Sequence, residues 1–259
     1  MEVPTEDITT NFADLPQGPL LKEMVDTGVF FGRKKSKTNP KMKPFIFGNR
    51  GGVEIIDLNK TLEEIERAQG FLREKASAGG LFLFVATQPP AVDVVSLARE
   101  LGAPVVEKRW IGGTLTNFNT IYKRIEYFQK TKNDLATGAL DKYTKKERLT
   151  LEKETKRLDE MIGGLVSLVK LPDALIMVNP ILHESAVREA RRLGIPIVAL
   201  ANTDSDPDLI DYLVPGNTSA RKSIQWFFEK VKSAIQEGRK SVPPPVAAEK
   251  SNEPENGRS

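Results

Sequence analysis

The sequence predicts an α/β protein: a doubly wound parallel sheet with an inserted, projecting antiparallel α-helical hairpin. Three observations predict it. Short apolar runs alternate with amphipathic stretches over most of the chain, the order that builds a parallel sheet with right-handed crossovers. One run, LFLFVAT (81 to 87), is apolar nearly throughout, as a strand covered on both faces must be. Between Asn117 and Leu168 the rhythm changes to two series at helical spacing.

Residues 1 to 18 lack apolar periodicity and read as an N-terminal extension. PLLKEMVDTG (19 to 28) is a short amphipathic helix stopped at Gly28. After a basic loop come two β-like runs, PFIF and GVEIIDL, joined by the hairpin signal GNRG. LNKTLEEIERAQGFLREKASAGG is a helix, LFLFVAT a strand, AVDVVSLARELG a helix and PVVEKRW a strand. Later, DALIMVN (173 to 179) is a strand, HESAVREARRLG a helix, IPIVALAN (195 to 202) a strand and NTSARKSIQWFFEKVKSAIQEG the final helix. The tail SVPPPVAAEKSNEPENGRS is proline-rich, nearly without large apolar residues, and expected to be disordered.

In the interruption, Phe118, Ile121, Ile125 and Phe128 fall at spacings of three, four and three, and Leu151, Thr155, Leu158, Ile162 and Leu165 repeat the rhythm. Two such seams describe a coiled-coil hairpin. Its link NDLATGALDKY is polar, and Thr144-Lys145-Lys146-Glu147 is a capping box for the second arm. A ~17-residue arm at ~1.5 Å per residue reaches roughly 25 Å. The organisation is therefore an α/β domain over 19–116 and 169–240, the hairpin over 117–168 and a tail over 241–259.

Composition removes several chemistries. No cysteine is present, so disulfides and thiolate metal sites are excluded. The single histidine, His183, rules out His-rich zinc centres and leaves no basis for a conventional Ser-His nucleophile; it is expected to be solvated or to cap the helix it opens. No apolar run approaches the ~20 residues of a membrane helix, and the acidic start MEVPTEDITT is unlike a secretory signal. Together these point to the cytoplasm.

The charge distribution is more informative. The formal net charge is only +3, yet RKKSKTNPKMKPFIFGNR (33 to 50) holds seven lysines and arginines and no carboxylate. Such a cluster is either a solvated loop or a surface for a polyanion that offsets its self-repulsion. Phe45 and Phe47 are expected to anchor it to the sheet.

Enzyme chemistry has less support. The loop TQPPAV after LFLFVA carries two prolines where a phosphate cradle wants glycine amides. Neither GxGxxG nor GxxxxGK[ST] occurs. The loop Ile111-Gly112-Gly113-Thr114-Leu115-Thr116-Asn117 could bind an anion at a helix N-terminus, or its glycines could make a turn that Thr116 or Asn117 caps. Lys108, Arg109 and Trp110 add cations and an aromatic face, although Trp110 fits equally well beneath the hairpin root. NTDSDPDLIDYLVPGN opens like a calcium loop but has Leu209 and Pro215 where Gly and Glu are needed. Its carboxylates are expected to order a turn, with weak magnesium binding as the alternative. A nucleotide-dependent α/β enzyme, suggested by sheet topology alone, is the competing reading.

Four blocks in order, DTGVFFGRKKSKTNPKMKPFIFGNRGGVEIIDL, RWIGGTLTNF, TKKERL and LGIPIVALANTDSDPDLIDYLVPGN, closely resemble the bacterial form of the second small-subunit ribosomal protein, the S-two family. The likeness runs from about Leu20 to Val231. It implies a flavodoxin-like sheet, no catalytic activity and no cofactor, binding to small-subunit rRNA, neighbouring small-subunit proteins as partners, and in many bacteria help in seating the mRNA-gathering protein S-one. The rRNA-binding residues it implies are Arg33, Lys34, Lys35, Lys37, Asn39, Lys41, Lys43 and Arg50, with Lys108, Arg109, Trp110, Thr114, Thr116 and Asn117 at the hairpin root. Where the family carries two histidines and a tryptophan ahead of Asn-Pro-Lys-Met, this chain has Phe30, Arg33 and Thr38. Phosphate contact survives that change better than base stacking or metal binding.

Overall fold

A computed structural model describes residues 18–140 and 143–241. The expectations for residues 1 to 17, for residues 141 and 142 of the hairpin link and for the tail from 242 lie outside them.

The chain begins with α1 (Pro19–Asp26) and a three-stranded antiparallel sheet of β1 (Phe31–Lys34), β2 (Ile46–Arg50) and β3 (Val53–Ile56), in the order β1-β3-β2. There follow α2 (Leu58–Ser77), β4 (Phe82–Val85), α3 (Val92–Glu100), β5 (Val105–Val106), α4 (Phe118–Ala136) and α5 (Lys145–Ile162). The chain then forms β6 (Ala174–Val178), α6 (Glu184–Leu193), β7 (Ile197–Ala201), β8 (Tyr212–Pro215) and α7 (Arg221–Lys240). The second sheet is parallel, ordered β5-β4-β6-β7-β8, which is the flavodoxin-like doubly wound arrangement.

Burial on both faces explains the apolar runs. Phe82 and Phe84 of β4, Ile176 and Val178 of β6, and Val198 and Leu200 of β7 pack with Trp226, Phe227 and Phe228 of α7. The intervening residues Leu83, Val85, Leu175, Met177, Ile197 and Ala199 point the other way, against Ile121, Ile125 and Phe128 of α4 and Leu158 and Ile162 of α5. The proximal hairpin is thus a layer of the core. Buried positions end at Thr131 in α4 and begin again at Thr155 in α5, and no described residue between them is buried. At the margin of the buried seam Lys132 Nζ reaches Asp159 Oδ1 at 3.0 Å and ties the two helices together. The capping box forms as expected: Thr144 Oγ1 accepts from Glu147 N–H, and Glu147 Oε2 accepts from Thr144 N–H at 2.9 Å.

Several elements differ from expectation. β1 and β8 are strands in segments that read as loops. FGRK is short and charged, and YLVP ends in a proline that only an edge strand tolerates; β8 is such an edge. The run PVVEKRW contributes only Val105–Val106 to the sheet. His183 is buried rather than solvated, makes no cap bond, and places Nε2 3.4 Å from Thr87 Oγ1. Burial drives its pKa down from 6.5 to about 4.

Two expectations follow. Gly164, just beyond α5, lies so close to the edge strand that a Cβ would come within 2.2 Å of the Val105 carbonyl oxygen. Gly164→Ala should therefore destabilise the protein by about 3 kcal/mol, the upper end of overpacking costs, measured as a lower urea midpoint. His183 binds a proton more readily in the unfolded chain, so the stability it preserves is complete above pH 6.5 and is lost as pH falls toward 4. The loss reaches about 3 kcal/mol. His183→Gln should show a flatter pH dependence than the natural chain across that window.

Candidate nucleic-acid interface

The basic segment is ordered and compact. Two 3-10 turns, Lys35–Lys37 and Pro40–Phe45, link β1 to β2. Asn39 caps the second by accepting from Lys41 N–H at 3.0 Å, and Met42 is fully buried beneath it. Gly51 and Gly52, with φ of 58° and 82°, make the tight link from β2 to β3, a backbone that favours glycine. Asn39 N–H donates to the Thr203 carbonyl at 2.8 Å, fastening the segment to the loop after β7. Phe45 is half-buried against the core, but Phe47 is 70% exposed and anchors nothing, because it lies on the open face of β2.

The charges divide into two groups. Arg33 is half-buried. Its Nε donates to Asp204 Oδ2 at 3.3 Å and its Nη1 to Ser219 Oγ at 2.9 Å, while its backbone N–H donates to Thr203 Oγ1 at 2.9 Å. Lys41 Nζ lies between Asp206, both oxygens at 3.1 Å, and Asp208 Oδ2 at 2.5 Å. The hydrogen bond to Asp208, followed by that to Asp206, raises the Lys41 pKa above its ordinary value. The cluster is therefore partly neutralised from within, which corrects the expectation for these two residues. The same ammonium supplies the acidic turn with its cation, and among the described residues no group of three acidic or histidine side chains could hold a metal ion. By contrast, Lys34, Lys35, Lys37, Lys43 and Arg50 are exposed, and no described carboxylate pairs with them.

The hairpin root shows a second internal neutralisation. Glu189 of α6 reaches into the loop 110–116. Its Oε1 accepts from Trp110 Nε1 at 2.9 Å and Gly113 N–H at 2.8 Å. Its Oε2 accepts from Leu115 N–H at 3.0 Å, and from Thr116 N–H and Oγ1, both at 3.1 Å. Burial pushes the Glu189 carboxyl up, but the indole donor and the three amides outweigh it and hold the pKa below the usual value. The predicted anion cradle exists, and the chain's own carboxylate fills it. Trp110 is buried, so it offers no stacking face; Thr114 is fully buried and donates to the Ile111 carbonyl at 2.6 Å. Asn117 occupies the N-cap position of α4 without a side-chain cap bond, and accepts from Thr120 Oγ1 at 2.8 Å. Lys108 and Arg109 remain exposed. No hydrogen bond or ion pair among the described residues joins this root to the basic segment.

The profile of the family described as Ribosomal protein S2 matches residues 24–238, most of the chain. The chain belongs to the ribosomal protein S2 family. Small ribosomal subunit protein uS2 of Thermus thermophilus is 42% identical over 232 residues, 89% of this chain and 91% of the relative. The uS2 protein of Deinococcus radiodurans is 43% identical over 220 residues, 85% and 83% of the two chains. That of Geotalea uraniireducens is 43% identical over 219 residues, 84% and 86%. Ribosomal protein S2 is a structural family rather than an enzymatic one, and the geometry gives the nucleotide-enzyme alternative no support. The loop after β4 is a proline-bearing 3-10 turn, and the amides after β5 are already bonded to Glu189.

Replacing Glu189 should disclose its role. Glu189→Ala strands an indole donor and several amides, a loss of about 2 kcal/mol after partial rehydration of the exposed Thr116. Urea unfolding should show that loss, and the fluorescence of Trp110 should shift toward that of a hydrated indole.

Proposed function

We propose that this chain is a structural constituent of the small ribosomal subunit. It binds small-subunit rRNA through Lys34, Lys35, Lys37, Lys43 and Arg50, with Lys108, Arg109 and Asn117 contributing at the hairpin root. The observation that carries this reading is the set of five exposed cations without a counter-charge among the described residues, presented by an ordered segment in a chain of a ribosomal protein family. Like charges so placed are stabilised by phosphates from outside, and condensed counterions are released when they meet. Arg33, Asn39 and Lys41 act differently, holding the segment in the shape that displays the others. Trp110, Thr114 and Thr116 do the same at the root. Phosphate contacts position the protein, while RNA shape and neighbouring small-subunit proteins supply selectivity. The protein supports subunit assembly and translation in the cytoplasm. The distal hairpin, where no described residue is buried, offers a handle to a neighbouring protein such as S-one.

If each of the five cations neutralises a phosphate, log K for rRNA should fall with log salt at a slope of roughly −3.5 to −4.5. The double variant Lys35→Glu, Lys37→Glu should reduce the magnitude of that slope by about 1.4 to 1.8. It should also enter small subunits poorly in cells while keeping the natural urea midpoint. Normal incorporation with an unchanged slope would reduce the segment to a solvated loop.

A further inference from the structure

Glu54 breaks the pattern of its strand. Along β3 exposure alternates, and Glu54 shares the inward set with Ile56, where an apolar residue is expected. It is only 6% exposed, yet no described residue donates a hydrogen bond to its carboxylate or pairs with it. Its carboxylate oxygens are absent from the fully enclosed polar atoms, so what access they have is to an opening. That opening is a cavity of about 250 Å³ lined by Glu54, Lys35, Thr38, Pro40, Lys43 and Ile46. A nearly buried carboxylate whose oxygens reach only this opening takes its donors from whatever occupies it, which is water or a ligand that displaces the water.

The lining describes that ligand. Lys35 and Lys43 are exposed and form no ion pair with Glu54, so the entrance is cationic and the interior carries a carboxylate. A cationic entrance disfavours an incoming arginine or lysine side chain and attracts a phosphodiester. The space is smaller than the roughly 300–1,000 Å³ of pockets that enclose drug-sized molecules, and it suits one flat heterocycle. Pro40 and Ile46 offer apolar surface to the face of such a ring. Among the common bases, guanine carries adjacent N1–H and N2–H donors on its Watson–Crick edge, spaced to meet both oxygens of one carboxylate.

We infer that this cavity is a base-recognition subsite that takes one unpaired guanine of an RNA strand, with Glu54 accepting from N1–H and N2–H and Lys35 and Lys43 meeting the flanking phosphates. The inference rests on the rRNA-binding reading and adds to it a source of sequence preference that phosphate contacts lack. Recognition of splayed single-stranded bases along their Watson–Crick edges is the usual way in which proteins read RNA sequence.

Fluorescence anisotropy of the full chain with the labelled pentanucleotides UUGUU, UUIUU and UUUUU tests it, where I is inosine, which lacks the N2 amine. UUGUU should bind roughly tenfold tighter than UUUUU, in line with a bidentate base contact, and UUIUU should lose most of that advantage. Glu54→Gln should remove the guanine preference, so that UUGUU and UUUUU bind it equally. Should that variant fail to fold, the comparison of guanine with inosine on the unaltered chain still decides. Equal affinity for all three strands would overturn the subsite and leave the phosphate-binding reading standing. Absence of any binding at low salt would overturn both. Glu54-dependent binding of N-acetylarginine amide without a guanine preference would assign the cavity to a protein partner and overturn the inference.

Discussion

The proposed RNA-binding surface depends on one docking event: the basic segment fastens to the loop that follows β7. Arg33 and Asp204 are 171 positions apart in sequence, and Lys41 and Asp206 are 165 apart. Solvent-screened ion pairs of this kind contribute too little to order the segment alone. More stabilisation comes from the burial of Met42 and from the bonds that Arg33 N–H and Asn39 N–H make to Thr203. The charges choose the register in which that docking occurs, and by engaging two of seven cations they determine which five face outward. A uniformly solvated loop would have no reason to sort its charges in this way.

The same arrangement explains why a doubly wound sheet here serves a structural end. Ligands of such folds bind in the loops beyond the carboxyl ends of the parallel strands. In this chain two of those loops are satisfied internally. The turn after β7 receives Arg33 and Lys41, and the amides after β5 receive Glu189. Much of the exposed, unpaired positive charge lies instead on the antiparallel appendage. The residues that would serve a small ligand in an enzyme act here as fasteners between segments.

Periodicity made most of the fold legible. Strands apolar on both faces, the two hairpin seams and the capping box are local patterns, and local patterns survive without knowledge of tertiary neighbours. β1 and β8 were hidden because they are four residues each and carry charge or proline. The basic segment itself was plain in the sequence, but its division was not, since no window of sequence joins Lys41 to Asp206. Aromatics were less legible. Trp110 reads equally as a stacking face or as packing beneath the hairpin root, and it is buried; Phe47 reads as an anchor and is exposed. Each sits where burial is set by what packs across it. Glu189 had a weak signal, a carboxylate beside Ala190 near the apolar face of α6, which points toward the glycine-rich loop only once the topology is known. Glu54 had a stronger one, a charge at an inward position of an alternating strand.

The hairpin turns these packing details into geometry at a distance. Past Thr131 its arms have no buried seam, and helices without tertiary packing are marginal in water unless capped. The Thr144–Glu147 box therefore matters more there than it would inside a core. From Thr131 to its end at Ala136, α4 adds roughly 8 Å at ~1.5 Å per residue, so a rotation at the root is carried outward to the tip. Two contacts set that root: the absence of a side chain at Gly164, which lets the exit of α5 close on β5, and the Glu189 carboxylate, which fixes the entry to α4. Because the entry and exit strands are held independently, the direction of the arm is defined by the core rather than by the arm's own weak seam. A protein that must fit a rigid ribonucleoprotein particle requires that kind of control.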